Sequence, residues 1–396
     1  MDMLLLSTFD DLLHLENDWN SLLTKSETNT IFLTHEWITN WWKCFGQDKE
    51  LFVLLVRHGQ KILGIAPLMI APSKVFIAKL KRIQFIGTPH SDYCDFIVGE
   101  QKEAVLEALY EYLIQRKKRW NEINLVNVPG TSSTLLLSRK ILKKLRARFN
   151  MLSADECPSI SLSSEAVQQI QKKRDIIRHC KYLSERGELT FSNVKDVGQA
   201  SGLLGTLFQQ HLKIFQTKGI SSSFSDAKWK RLLLSLINEL LPKGRIDLWA
   251  LIFKKEPIAI VYGFKHDKKY LTYCQSYDPQ YSRYGPGMIL FKHFIDQYFQ
   301  AGLDEVDFGR GGELYKHRFS NKRVYNFDIR VEKSYIHYLL VNIYFKTKEI
   351  VMKDRRLAGL ISEYKSKLQY ENRSFTQQSN RTKCEILAPG GSQGTV

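Results

Sequence analysis

Residues 270–319 read YLTYCQSYDPQYSRYGPGMILFKHFIDQYFQAGLDEVDFGRGGELYKHRF. The run 270–276 (YLTYCQS) has the β-branched and aromatic content of a strand. Residues 287–301 carry apolar side chains at helical spacing, and 304–308 (DEVDF) return to a strand. A strand, a Gly-Pro-Gly turn, an amphipathic helix and a second strand ending in a Gly-rich loop describe a mixed α/β unit.

Two constellations in this stretch carry the chemistry. The first is Arg283, Gly285, Gly287 and Met288, where the chain passes from strand to helix. Glycines let an anion approach the backbone, and the first helical N–H groups are unpaired donors. An ordinary turn and helix start would look the same. The second is Asp307-Phe308-Gly309-Arg310-Gly311-Gly312-Glu313-Leu314-Tyr315-Lys316, a loop dense in titratable groups at a strand end. Glu313 or Asp307 could accept a proton from an amine or hydroxyl, and Tyr315 could return one to a leaving group. Lys316 and Arg310 could hold a phosphate or carboxylate. A solvated loop with structural ion pairs is the alternative.

Other readings of the same loop fail. Leu314 stands where the third Gly of a dinucleotide fingerprint would be. Asp307-Phe308-Gly309 has no accompanying kinase motifs, and no Gly-x-Ser-x-Gly elbow occurs.

Upstream, the same order of elements recurs. Residues 246–253 and 258–264 form a hairpin around Lys254-Lys255-Glu256-Pro257, and 51–57 and 61–70 form another around His58-Gly59-Gln60. Leu63-Gly64-Ile65 lies over Ile258-Ala259-Ile260, and Glu122-Ile123-Asn124-Leu125 over Glu305-Val306-Asp307-Phe308. Two copies of one unit follow: an N-terminal half over 1–160 and a C-terminal half over 161–332. A helix is expected over 31–45 with Thr34 as cap and its tryptophans in the core, and another over 225–241 with Ser225 as cap. Between the copies, 164–186 reads as one basic helix containing Arg178. Residues 333–370 read as a helical extension, and those from 371 as a disordered tail. A third patch, His90-Ser91-Asp92-Tyr93-Cys94-Asp95, offers Asp92, Tyr93 and Asp95 to a cleft between the copies, or else forms an Asx turn.

Composition bounds the partners. The formal net charge of +17 over 396 residues favours anions: nucleic acid, an anionic membrane surface or phosphorylated substrates. Six cysteines show neither CxxC pairing nor zinc spacing, so a reducing compartment and no metal are expected. No apolar stretch approaches the ~20 residues that span a bilayer, and the N-terminus is a poor signal peptide that reads as strand then helix. A cytoplasmic protein is expected, in contact with the inner membrane face if the C-terminal helix binds lipid.

The stretches FLTHEWITNWWKCFG, LFVLLVRHGQKILGIAPL, FIGTPHSDYCDFIV, YDPQYSRYGPGMIL and VDFGRGGELYKHRF occur in an order that resembles a GNAT-superfamily family of acetyltransferases. That family is of the cellulose- and exopolysaccharide-biosynthesis type, distantly akin to the Fem aminoacyltransferases. The resemblance implies an α/β (α+β) chain of two tandem GNAT-like mixed-sheet domains with flanking helices. It implies direct acyl transfer, with acetyl-CoA or another acyl-CoA bound by the second domain. Carried over, Arg283, Gly285, Gly287 and Met288 form the pyrophosphate turn, where Gly285 replaces the family's usual Ser. Asp307, Glu313, Tyr315 and Lys316 are the catalytic candidates. Asp92, Tyr93, Asp95, Arg178 and Arg310 are the acceptor-binding candidates. The expected acceptor is a small molecule or glycan, anionic, N- or O-acylated; no DNA contact is expected. Aminoacyl transfer from charged tRNA and a non-catalytic scaffold at a membrane are the alternatives.

Overall fold

The computed structural model describes residues 1–336 apart from 76–77, 218 and 220–221, together with 338–339 and 342–343. Met1–Lys333 forms one compact unit. Most of the expected C-terminal extension and all of the expected tail lie outside the described residues. No described helix is long and apolar enough to cross a membrane.

The chain opens with β1 (Asp2–Leu6), α1 (Phe9–Leu13), α2 (Glu16–Leu23) and α3 (His35–Phe45). Next come β2 (Glu50–Leu51), β3 (Val53–His58), β4 (Lys61–Ala66), β5 (Leu68–Val75), β6 (Ala78–Phe85) and β7 (Ile97–Val98). The first half closes with α4 (Lys102–Gln115), β8 (Glu122–Pro129), α5 (Ser133–Lys144) and β9 (Arg148–Ser161). The second half begins with α6 (Ser164–Gln171), α7 (Arg174–Ser184), β10 (Leu189–Val194), α8 (Val197–Thr217) and α9 (Ala227–Leu240). It continues through β11 (Ile246–Phe253), β12 (Glu256–His266), β13 (Lys269–Tyr277) and α10 (Pro286–Gln300). It ends with β14 (Glu305–Asp307), α11 (Leu314–His317) and β15 (Lys322–Glu332).

Local rules explain most of these boundaries. Thr34 caps α3 by accepting from Trp37 N–H, as its sequence position predicts. Ile31–Leu33, expected inside that helix, form a separate 3₁₀ turn. The cap of α9 is Asp226 rather than Ser225, because a carboxylate oxygen is the one that reaches Lys228 N–H. The expected single helix over 164–186 is two, broken at Lys172-Lys173, with Ser163 capping the first. Two hairpins turn without glycine: Lys254-Lys255 and Asp267-Lys268 all take positive φ. Those are the dihedrals of a two-residue turn that matches strand twist.

Two sheets result. One has four antiparallel strands in the order β1-β3-β4-β7; the other has eleven, in the order β10-β11-β12-β13-β14-β9-β15-β8-β6-β5-β2. Within the larger sheet only the β13/β14 and β6/β8 pairs are parallel among the described residues. β11 and β12 are buried on both faces. Trp249, Leu251, Ala259 and Val261 pack under α10, whereas Ile246, Leu248, Ile260 and Tyr262 join α8 and α9 on the other side. Near-continuous apolar runs are what such doubly covered strands need.

β9 and β15 thread the halves together. β15, the last strand, sits between β9 and β8 of the first half. Ser159 pairs with both Asp307 of β14 and Lys322 of β15. The sheet is therefore continuous across the division expected at 160/161. The repeated segments do occupy matching places: β4 and β12 are the returning strands of their hairpins, and β8 and β14 each follow a helix and enter a parallel pair.

Candidate functional site

β13 and β14 run parallel and pair only at Lys269–Leu271 with Glu305–Asp307. Beyond Asp307 the chain turns away through Gly309 (φ +67°) and Gly311 (φ +115°). A Cβ at Gly309 would lie 2.6 Å from Asp92 Oδ2, so only glycine fits this turn without displacement. β13 continues to Tyr277 with a strand partner only on its β12 edge. A cavity of about 490 Å³ opens in the divergence, lined by Asp92, Trp229, Tyr273, Gln275, Arg310 and Tyr315 among others. Glu313 and Lys316 also line it.

The loop around Arg310 is held from both halves. Its guanidinium donates to Asn127 Oδ1 at 3.2 Å and to Pro89 O at 3.3 Å, and its Nε lies 3.6 Å from both Asp92 and Asp155 carboxylates. Arg310 N–H donates to Asp92 Oδ2 at 3.3 Å. Burial pushes the Asp92 carboxyl above its ordinary range, and the Arg310 charge opposes the shift. Lys316, only 4% exposed, donates to Arg310 O at 2.7 Å, to Gly309 O at 3.4 Å and to Glu313 Oε2 at 2.8 Å. All three ammonium protons have partners within the loop. Lys316 therefore acts as a clasp, where an anion contact was expected.

Tyr315 is the proton-bearing group at the cavity wall. Its ring stacks on Phe291 of α10 with centroids 5.7 Å apart, and its hydroxyl bonds Gln275 of β13. Burial, with Glu313 beside it, pushes its phenol upward, so it stays protonated at neutral pH. Glu313 itself is exposed apart from its ion pair with Lys316. His90 stacks on Trp229 at 4.4 Å and accepts from Trp41 Nε1; burial holds it down to about 4, hence neutral.

Asp307, expected beside Glu313, faces away from it. Alternate strand residues point to opposite faces, so Glu305 and Asp307 share one side of β14 and Val306 the other. Asp307 lines a different cavity with Tyr93 and Cys157. Tyr93 Oη donates to Asp307 Oδ2 at 2.7 Å, and Gly309 N–H donates to Oδ1 at 2.8 Å. Burial raises the Asp307 carboxyl to about 6. Asp307 and Tyr93 therefore form a half-buried inter-half tie on the far face of the sheet.

Asp95 lines neither cavity. It is 1% exposed, and Thr28 Oγ1, Ser132 Oγ and Phe96 N–H donate to its carboxylate. It holds the start of α5 and has no atom left for a ligand. Arg178 is exposed on α7 and does not line the cavity that holds Asp92.

At the other end of β13, the 3₁₀ turn Pro279–Tyr284 leads through Gly285 (φ +57°) into α10. Gly285 O accepts from Met288 N–H and Ile289 N–H, and Pro286 has no N–H. Gly287 N–H has no partner among the described residues, and a Cβ there would meet nothing within 4 Å. One amide on an open approach, at the positive end of a 15-residue helix, fits an anionic group. Arg318 reaches this turn, 3.3 Å from Met288 Sδ.

Gln275, Trp229 and Asn127 are site residues that the sequence reading passed over. Gln275 has no motif around it; Trp229 reaches the cavity, and Asn127 the Arg310 guanidinium, only by tertiary folding. No group of metal-ligating side chains occurs among the described residues.

Residues 171–317 match the family model of the acetyltransferase (GNAT) domain. The chain thus carries an acyltransferase domain of the GNAT type over those residues, within a mixed α/β fold. No curated protein matches the sequence. Among solved structures it is similar to FemX (TM-score 0.59, 11% identity, 86% of this chain and 100% of that one). It is similar to a conserved protein of unknown function from Bacteroides thetaiotaomicron (TM-score 0.54, 11% identity, 84% and 100%). It is also similar to L-PGS from Bacillus licheniformis (TM-score 0.51, 10% identity, 82% and 94%). At these identities the likeness is one of fold.

Proposed function

We propose that the chain is an acyl-CoA-dependent N- or O-acyltransferase that transfers its acyl group directly to an acceptor, without a covalent enzyme intermediate. The observation that carries this reading is the divergence of β13 from β14. It leaves the β14-facing edge of Thr272–Tyr277 without a strand partner among the described residues, beside a cavity, with a helix start following the same strand.

In this reading the thioester lies along the free β13 edge, and its diphosphate meets Gly287 N–H and Arg283. The acceptor nitrogen or oxygen bonds to the acyl carbon as the carbon–sulfur bond breaks. Glu313, exposed at the cavity mouth, takes the acceptor's proton; Asp92 is the alternative base. Tyr315 gives its proton to the departing thiolate. Arg310 and Lys316 position the loop that carries Glu313 and Tyr315.

The acceptor is a phosphorylated or lipid-linked sugar. The +17 charge and the motif order of the exopolysaccharide-type acetyltransferases support that class. Such an acceptor puts the enzyme in the cytoplasm, at the inner membrane face if the sugar is lipid-linked. Calorimetry of the full chain with acetyl-CoA, with thiol release measured across a panel of sugar phosphates, tests the reading. Donor binding no tighter than about 1 mM, a free energy near −4 kcal/mol, removes it.

A second reading is aminoacyl transfer from charged tRNA, as in the Fem aminoacyltransferases. The fold likeness to FemX over most of both chains favours it. It predicts tRNA retention that falls steeply with salt; salt-insensitive or absent retention removes it.

A further inference from the structure

Tyr182, near the end of α7, and Tyr284, the last residue before Gly285, stack with ring centroids 5.0 Å and planes 25° apart. Arg186 lies 3.5 Å over the Tyr182 ring, and Arg283 lies 4.6 Å from the Tyr284 ring centroid. Both arginines are exposed and both rings half-buried. Arg283 has no carboxylate partner among the described residues, and Arg186 has only Glu185, at 3.9 Å. Arg178 lies one turn before Tyr182 on the same helical face and has no ion pair among the described residues. The result is a pair of stacked rings flanked by a guanidinium on each ring, at a half-exposed surface. It adjoins the one open amide of the α10 turn, Gly287 N–H.

We propose that the Tyr182–Tyr284 stack and its arginines form the platform for the adenosine 3′,5′-bisphosphate end of the acyl donor. The inference rests on the acyl-CoA reading and names the donor subsite within it. A base recognised by stacking needs an exposed π surface. A guanidinium on an exposed ring is weakly held, and it can leave the ring for a phosphate that offers two charge-assisted hydrogen bonds. Position supports the assignment: only Asp278–Arg283 separates the end of β13 from Tyr284 of the platform. A donor with its thioester on that edge and its diphosphate at Gly287 has its nucleoside end at Tyr284. Arg283 and Gly287 then serve the diphosphate, and Arg186 and Arg178 the 3′-phosphate.

The test uses the full chain and two probes, adenosine 3′,5′-bisphosphate in calorimetry and acetyl-phosphopantetheine in turnover. Tyr182→Ala should weaken the bisphosphate by about tenfold or more, and Tyr182→Phe should restore it, as expected for base stacking on an aromatic ring. Arg186→Ala with Arg178→Ala should erase the preference for CoA over 3′-dephospho-CoA. Acetyl-phosphopantetheine, which has no adenosine, should be used equally by wild type and Tyr182→Ala. Equal bisphosphate binding by wild type and Tyr182→Ala, or none while acetyl-CoA is still consumed, overturns the platform and leaves the acyltransferase reading standing. Tyr182-dependent bisphosphate binding without turnover of either acyl donor leaves a nucleotide-binding stack that serves no acyl donor, and overturns the acyl-CoA reading instead.

Discussion

Tyr93 Oη donates a 2.7 Å hydrogen bond to Asp307 Oδ2, tying a loop of the first half to the strand that enters the cleft. The Asp307 carboxyl is raised by burial from 3.8 to about 6, so the folded state holds its proton more tightly than the unfolded chain does. The stability this group contributes is fully present below about pH 4 and is lost as pH rises through about 6. The linkage amounts to about 3 kcal/mol. Asp307→Asn keeps an acceptor for Tyr93 and removes the titration. Urea denaturation of wild type and variant at pH 4 and pH 7 should show wild type losing ground to the variant at the higher pH. An equal gap at both pH values contradicts the assignment.

Arg310 and Asp92 are coupled across the halves. Arg310→Ala leaves the half-buried Asp92 without its cation, a loss on the order of 1–3 kcal/mol. Asp92→Asn should recover much of it, so the double variant should be more stable than Arg310→Ala alone. A double-mutant cycle by chemical denaturation measures the coupling; additive losses mean the two do not interact.

Lys316 and Glu313 should separate structure from chemistry. Lys316→Met strands the carbonyls of Gly309 and Arg310, at about 1–3 kcal/mol each, so melting temperature and turnover should fall together. Glu313→Gln keeps an oxygen acceptor for the Lys316 ammonium, so it should lower melting less than Lys316→Met does while lowering turnover by about 10²-fold. Full turnover in Glu313→Gln shifts the base assignment to Asp92.

Tyr315→Phe keeps the stack on Phe291 and removes the proton. Turnover should drop by roughly 10²-fold with little change in donor KM, as for the loss of a general acid. A donor with a better leaving thiol should be affected less. An equal effect on good and poor leaving groups would show that Tyr315 does not protonate the thiolate.

Periodicity and turn chemistry made much of this molecule legible in advance. Thr34 as cap, the paired hairpins, the entry into α10 through Gly285 and the loop after Asp307 all depend on residues near one another in sequence. Even there, Lys254-Lys255 turned without the glycine that such a hairpin favours, and Lys172-Lys173 broke a helix that periodicity carried through.

Local sequence thus determined the caps, hairpins and strand-to-helix turns named above, because capping, φ preference and apolar period act over a few residues. Tertiary structure decided which titratable groups meet. The register of β14 against β9 turns Asp307 toward Tyr93 and away from Glu313, and a one-residue difference in a strand reverses the face. The folding of Lys316 back onto the carbonyls of Gly309 and Arg310 makes it a clasp, and the approach of α7 to the 279–284 turn brings Tyr182 onto Tyr284. Those contacts depend on packing between segments far apart in the chain, which residue spacing does not encode.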